Sequence, residues 1–314
     1  MKPPSDILDF GDGSMAMPSP LLVRRPRAKV GCLRDFYEIT KPRMNFLVVV
    51  STMVGYYMAC RGAINLAHLA ATLVGTALTA AAASIFNQVI ESKYDALMPR
   101  TMDRPLPTGR IAPREAIVLA GMLTLAGIGT LALSVNGLTA LLGAFTLVSY
   151  IGIYTPMKRW STLNTVAGAV PGALPAVMGW TAAHGSLSPG ALALFGIMFF
   201  WQMPHFLAIA ILYRKDYAAG GFKMLPVVDR GLQVTSRQII LYGLALIPVS
   251  LLPVGLQMTG AIYFTAAVLF GAAFLTFGIS CAISRRRVDA RKLFFASIVY
   301  LPLLFAVMMM DKAA

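Results

Sequence analysis

Charge is scarce in this chain: of its 314 residues only 13% are Asp, Glu, Lys or Arg. Cysteine and histidine are rarer still, at three residues each. Cys32, Cys60 and Cys281 are too few and too scattered for a disulfide framework or a zinc site, so they are expected to be chemically inert. Acidic residues number 13 against 27 basic ones, a net charge of +14. Such an excess invites a nucleic-acid reading, but that requires a soluble basic module and the sequence has none. What the chain has in quantity is apolar sequence, 57% of residues, arranged in long uncharged runs. A chain of that composition lives mostly in a bilayer.

Taking uncharged runs of about 17 to 25 residues as spans, the sequence predicts about nine transmembrane helices, near 44–60, 66–90, 116–135, 138–154, 164–183, 190–212, 238–257, 261–283 and 293–310. The fold class expected is an all-α, polytopic membrane helix bundle. Pro171 and Pro175 in the fifth run, and Pro248 and Pro253 in the seventh, are tolerable because neighbouring helices re-satisfy the freed backbone groups.

Basic residues are retained on the cytoplasmic side. Of the 27, 25 lie in the N-terminal segment or in the links after spans two, four, six and eight. The other links hold only Arg61, and Lys312 sits near the C-terminus. The N-terminus is therefore expected in the cytoplasm and the C-terminus in the periplasm. The first 43 residues, with Pro3, Pro4, Pro18, Pro20 and Pro26, read as a disordered or interfacial cytoplasmic segment ahead of a single transmembrane domain over 44–314. Asp6, Asp9 and Asp12 argue against a mitochondrial presequence, and no cleavable signal is evident, so a bacterial cell inner membrane is the expected address.

The chemistry concentrates at Asn87 to Arg110, NQVIESKYDALMPRTMDRPLPTGR, which sets charged and proline-broken sequence against the end of a long apolar run. Asn87, Glu91 and Asp95 fall at i, i+4 and i+8, so on a helix their oxygens line one slowly drifting face. Three hard oxygen ligands there suit Mg²⁺. Arg100, Arg104 and Arg110 follow closely, and guanidinium forks grip phosphate oxygens in pairs. A second constellation, WQMPHFLAIAILYRKDYAAGGFKMLP, carries His205, Arg214, Lys215 and Asp216 on the same predicted side. Helical drift from His205 through Ile209 to Tyr213 brings the imidazole and phenol toward one face, and Asp216 is placed to offer a carboxylate opposite Asp95. A third, YTPMKRWSTLN, adds Lys158, Arg159 and Asn164. Lys41-Pro42-Arg43, just before the first span, places two further cations on that side, of which Arg43 is the candidate for the ligand. Together these predict one anionic, metal-bound ligand at the inner interface.

The Asn87–Arg110 string resembles the N-x-x-x-[DE]-x-x-x-D signature of the UbiA-type intramembrane prenyltransferases. Its continuation, R-T-x-x-R-P-L-P-x-G-R, resembles the tail found in the branch that farnesylates protoheme IX. The stretches from Tyr154 to Trp180 and from Pro204 to Val227 resemble that branch's remaining signatures. In quinone-forming relatives the first motif usually has Asp where this chain has Glu91, and the second is rich in aspartates. Here the second offers only Asp216, a departure that fits the heme branch.

The resemblance implies transfer of farnesyl from farnesyl diphosphate to a vinyl group of heme b, giving heme O and diphosphate. It implies Mg²⁺ on Asn87, Glu91, Asp95 and Asp216, diphosphate on Arg100, Arg104, Lys158, Lys215 and Arg43, and a heme contact or proton transfer at His205. Partners would be farnesyl diphosphate, heme b, the bilayer, and the next enzyme of heme A synthesis or a terminal oxidase. Three rival readings stand beside it. A prenyltransferase with an aromatic or chlorin acceptor would use the same machinery. An anionic-solute transporter should place polar groups near the bilayer midplane, whereas these clusters sit at one interface. A purely structural assembly factor would not need Asn87, Glu91 and Asp95 in register.

Overall fold

The computed structural model describes residues 32–313, and among these every regular element is helical. A short helix, α1 (Leu33–Ile39), precedes α2 (Pro42–Ala59), α3 (Leu66–Asp95) and α4 (Pro113–Ser134). The fourth span is α5 (Gly137–Val148), a π-helical turn over Ser149–Tyr154, and α6 (Thr155–Trp160). Then come α7 (Asn164–His184), α8 (Pro189–Leu212), and two short helices, α9 (Arg214–Ala219) and α10 (Leu225–Val228). The chain ends with α11 (Gln233–Ser250), a one-turn α12 (Leu252–Gly255), α13 (Ala261–Ser284) and α14 (Arg287–Met310).

All nine predicted runs are helices, and eight are long and apolar enough to cross a membrane. The exception is α2, 18 residues whose first turn holds Pro42, Arg43 and Asn45 and whose last holds Tyr56 and Tyr57. It is nonetheless central, because α2 packs along α7 at backbone distance. A Cβ on Gly55 would collide with the Ala176 carbonyl oxygen, and one on Gly179 with the Thr52 carbonyl oxygen. Small residues at such crossings let helices approach where lipid supplies no hydrophobic drive. Residues 1–31 of the expected N-terminal segment lie outside the described residues. Within the remainder, residues 33–39 form α1, which docks Ile39 and Phe36 against Ile85, Ile111 and Ala116.

At 30 residues α3 spans about 45 Å, well beyond a hydrocarbon core of about 30 Å. Its last turns, from about Asn87 onward, therefore project past the core into the interface. The largest apolar cluster lies elsewhere, joining α2, α7, α8, α11, α13 and α14 through Trp180, Ile197, Leu207, Tyr263 and Phe305.

Candidate active site

Asn87, Glu91 and Asp95 are all buried, at 2%, 6% and 1% exposure. An unpaired charge there would be costly, and each of the three side chains has a cationic partner. Lys41 Nζ donates to Asn87 Oδ1 at 3.3 Å, Lys158 Nζ reaches Glu91 Oε1 at 2.7 Å, and Arg104 Nη1 reaches Asp95 Oδ2 at 2.8 Å. Across from them Arg100 lies 4.0 Å from Asp216. The cluster thus holds three carboxylates and one amide oxygen among four cations, gathered from α3, α6, α9 and the two flanking loops.

Local sequence explains the placement. After α3 ends at Asp95, Thr101 Oγ1 donates to the Asp95 carbonyl oxygen at 2.8 Å. Thr108 Oγ1 donates to the Arg104 carbonyl oxygen at 2.8 Å, and Gly109 turns with φ 74°. That compact loop folds Arg104 back over the helix it follows. Asn87 is oriented from both sides, since its Nδ2 donates to Thr155 Oγ1 at 3.2 Å while Oδ1 accepts from Lys41. Thr155 Oγ1 in turn donates to the Tyr150 carbonyl oxygen at 2.8 Å, in the π-turn. π-turns often mark functional positions, and this one leads directly into Lys158.

Aromatic rings surround the cations. Lys158 Nζ sits 4.6 Å from the Tyr154 ring centroid and 5.8 Å from Phe222. The Arg100 guanidinium lies 4.7 Å from the Tyr213 ring. Burial, reinforced by the neighbouring Arg104, pushes the Lys41 ammonium down to about 7. A diphosphate placed beside it would favour the charged form and bind a full cation.

Several expected residues lie apart from this cluster. Arg43 is exposed on the first turn of α2, and the cation that enters is Lys41, at φ 49° on the other side of Pro42. Lys215 is exposed on α9, because Tyr213 breaks the helical path (φ −110°, ψ 27°) and turns α9 away from the line of α8. The same break carries Tyr213 to Arg100 and separates it from His205, which faces α14, so the shared imidazole–phenol face expected from helical drift does not form. Arg110 pairs with Asp35 of α1 at 3.1 Å, tying the N-terminal helix to the loop. Asn164 donates to the carbonyl oxygens of Ser161 and Lys223 at 2.6 and 2.9 Å, holding two loops together. Arg159 stacks on the Tyr94 ring. Sequence reasoning chose Arg43 over Lys41 from the Lys41-Pro42-Arg43 pair of cations, and missed Thr155, Tyr154 and Phe222. The Lys-Pro step was visible, but which of its flanking cations turns inward depends on the left-handed backbone at Lys41.

The donor set, hard oxygens from Asn87, Glu91, Asp95 and Asp216, suits Mg²⁺. Among the described residues no three His, Cys, Asp or Glu side chains converge closely enough to hold an ion unaided. An ion here would therefore complete its shell with oxygens of the ligand, as Mg²⁺ commonly does with phosphates. The cations now on the carboxylates are the groups such a ligand's phosphates would recruit.

A model of the UbiA prenyltransferase family matches residues 48–299. The protoheme IX farnesyltransferase of Solibacter usitatus (strain Ellin6076) is 44% identical over 289 residues, covering 89% of this chain and 99% of that protein. The protein of the same name from Koribacter versatilis (strain Ellin345) is 42% identical over 303 residues, covering 93% and 97%. A UbiA homolog from Archaeoglobus fulgidus, solved bound to GPP and Mg²⁺, superposes with a TM-score of 0.62 at 18% identity, covering 87% of this chain and 99% of that one.

Proposed function

Because the chain belongs to the UbiA prenyltransferase family, we propose that it transfers the farnesyl group of farnesyl diphosphate to a vinyl group of heme b at the inner face of a bacterial cell membrane. The observation that carries this reading is the inner-mouth cluster, in which four cations and four oxygen donors meet beside an apolar bundle. Relatives named for that reaction, at 42 to 44% identity over nearly their whole length, supply the acceptor. The basic links support an N-terminus inside and a C-terminus outside, and residues 44–314 are read as the single transmembrane domain.

The difficult step is charge separation, since an allylic C–O bond must ionise next to lipid. Mg²⁺, when bound with the diphosphate, would neutralise charge on the departing oxygens. Asn87, Glu91, Asp95 and Asp216 are the residues that would hold it. Arg100, Arg104, Lys158 and Lys41 are positioned to grip the diphosphate, and in a low-dielectric site each contact stabilises developing anionic charge strongly. The bonding pair of the broken C–O bond leaves with diphosphate. The vinyl π electrons form the new C–C bond, and water captures the resulting cation with loss of a proton. The Tyr154 and Phe222 rings, 4.6 and 5.8 Å from Lys158 Nζ, would exclude bulk water from an allylic centre placed beside that cation.

The test is pigment analysis of membranes from cells expressing the wild type or Asp95→Asn. Conversion of heme b to a farnesylated hydroxyethyl heme by the wild type alone is expected. No conversion with both substrates present would redirect the search to other ring acceptors.

A further inference from the structure

Away from the inner-mouth cluster, the same side of the bundle carries a second concentration of positive charge. The link between α13 and α14 sets Arg285, Arg286, Arg287, Arg291 and Lys292 against a single acid, Asp289, and all five cations are exposed. Asp289 engages Lys292 at 3.2 Å, and the Arg285 guanidinium donates to the Gly231 carbonyl oxygen at 3.1 Å. Arg286, Arg287 and Arg291 have no acidic partner among the described residues. Retention on the cytoplasmic side accounts for positive charge in this link, but not for the surface that adjoins it.

Lys292 is also one end of a groove of about 480 Å³ between α13 and α14. Phe277, Phe295, Val299 and Leu303 wall it, each 40% exposed or more. Its floor is closed. Phe274 and Tyr300, 3% and 4% exposed, stack there at 5.1 Å and 28°, and the Tyr300 hydroxyl lies 3.1 Å from Ser250 Oγ of α11. The groove therefore opens toward lipid, and its floor separates it from the cluster that α3, α6 and α9 build. Lys292 and Leu303 stand eleven residues apart on α14, about 16 Å, which is half of a hydrocarbon core of about 30 Å. The groove thus has the depth of one leaflet, with its charged end at the interface.

A molecule complementary to this surface has an anionic head and an apolar chain one leaflet long. We propose that the α13–α14 groove binds an anionic phospholipid, with its phosphate at Arg291 and Lys292 and one acyl chain lying over Phe274 and Tyr300 toward Leu303. The bilayer is the source, because the groove faces it along its whole length. Arg287 stands four residues before Arg291, on the same face of α14, and adds to the potential at the phosphate. Basic sites beside transmembrane helices on the inner side hold lipid head groups in this way, and a cation near the surface strengthens binding about fivefold. A lipid seated here would bridge the last two long helices of the bundle.

The experiment is native mass spectrometry of the detergent-solubilised full chain, titrated with phosphatidylglycerol and, separately, with phosphatidylcholine of the same acyl chains. The wild type should hold one phosphatidylglycerol in preference to phosphatidylcholine. Arg291→Gln with Lys292→Gln should weaken that binding about tenfold or more. Ala273 is an exposed residue lining the groove, so Ala273→Phe fills it without touching a charge and should weaken binding comparably. Lys93→Gln with Lys215→Gln removes the same charge from exposed positions elsewhere and should leave binding as in the wild type. Equal retention of the two lipids, unchanged binding in Ala273→Phe, or equal weakening in the Lys93 and Lys215 variant would overturn the site. Two competitors complete the test. Glycerol 3-phosphate has the anion without a chain, and its displacing the lipid would reduce the groove to an anion site. Displacement by farnesyl diphosphate that depends on Arg291 and Lys292 would make the groove a substrate path instead, and neither competitor is expected to displace the lipid.

Discussion

Asp95→Asn separates the chemistry of the cluster from its role in holding the protein together. The Asp95 side chain is 2% exposed and its partner Arg104 22% exposed, with the ion pair at 2.8 Å. Removing one partner of a buried pair typically costs about 3–5 kcal/mol, because the other charge is stranded. Asparagine occupies the same volume and still accepts from Arg104, which itself retains some solvent. The structural loss should therefore be nearer the value of one charged hydrogen bond, about 1.5–3 kcal/mol. The catalytic loss is larger in consequence. Losing one preorganised electrostatic contact costs about 10²–10³ in turnover, and here the change removes a carboxylate expected to hold the metal while leaving four cations in place. The reciprocal variant, Arg104→Met, leaves the Asp95 carboxylate buried and bare and should destabilise more. Turnover measured in membranes, beside thermal melting in detergent, gives both quantities. Near-normal turnover in Asp95→Asn would refute the metal argument. A loss of turnover explained by loss of folded protein would show that the pair is only structural. Arg110→Met serves as the contrast, since Arg110 pairs with Asp35 outside the cluster and its loss should leave turnover of the folded enzyme in place.

Lys158→Met should weaken inorganic pyrophosphate binding about a hundredfold or more by calorimetry, since it removes a charge-assisted contact from a buried site. Lys215→Ala, exposed on α9, should change it little, and an equal loss in the two variants would mean α9 turns inward when ligand binds. Lys41 gives a pH signature. Burial and Arg104 hold it at about 7, against 10.5 for the ordinary lysine of an unfolded chain. Between those values the unfolded state binds more protons, so stability should rise with pH from about 7 toward 10.5 and carry the full cost of the buried charge below 7. Lys41→Met should flatten that slope in pH-dependent melting, and an unchanged slope would assign it to another group.

Much of the architecture is a consequence of period and composition, and these are local. A run of about 20 uncharged residues in lipid must satisfy its own backbone, so a helix is the only open solution. That is why all nine runs proved helical even where Pro171, Pro175 and Pro248 interrupt them. The face shared by Asn87, Glu91 and Asp95 was legible for the same reason, being a property of one continuous helix. Where a helix breaks, legibility stopped. His205 and Asp216 stand 11 residues apart, but the break at Tyr213 sends one toward Ser297 and the other toward Arg100. The α2 helix was readable as a helix from its run, yet its fit against α7 depends on Gly55 and Gly179 meeting backbone more than a hundred residues away.

The sequence by itself determined that this chain is a membrane helix bundle with an oxygen-rich, arginine-rich mouth on one side, because hydropathy, charge bias and helical spacing act within a few turns. Only the tertiary structure decided which cations enter that mouth. Lys41 replaces Arg43 through a single left-handed residue, Lys158 reaches Glu91 from a span 67 positions away, and Arg110 is taken by Asp35 of α1. Surface lysines and arginines of a membrane protein look alike in sequence, since topology alone requires them. What distinguishes the cations of the cluster is a partner oxygen on α3 or α9, from Asn87, Glu91, Asp95 or Asp216, and no local pattern records that.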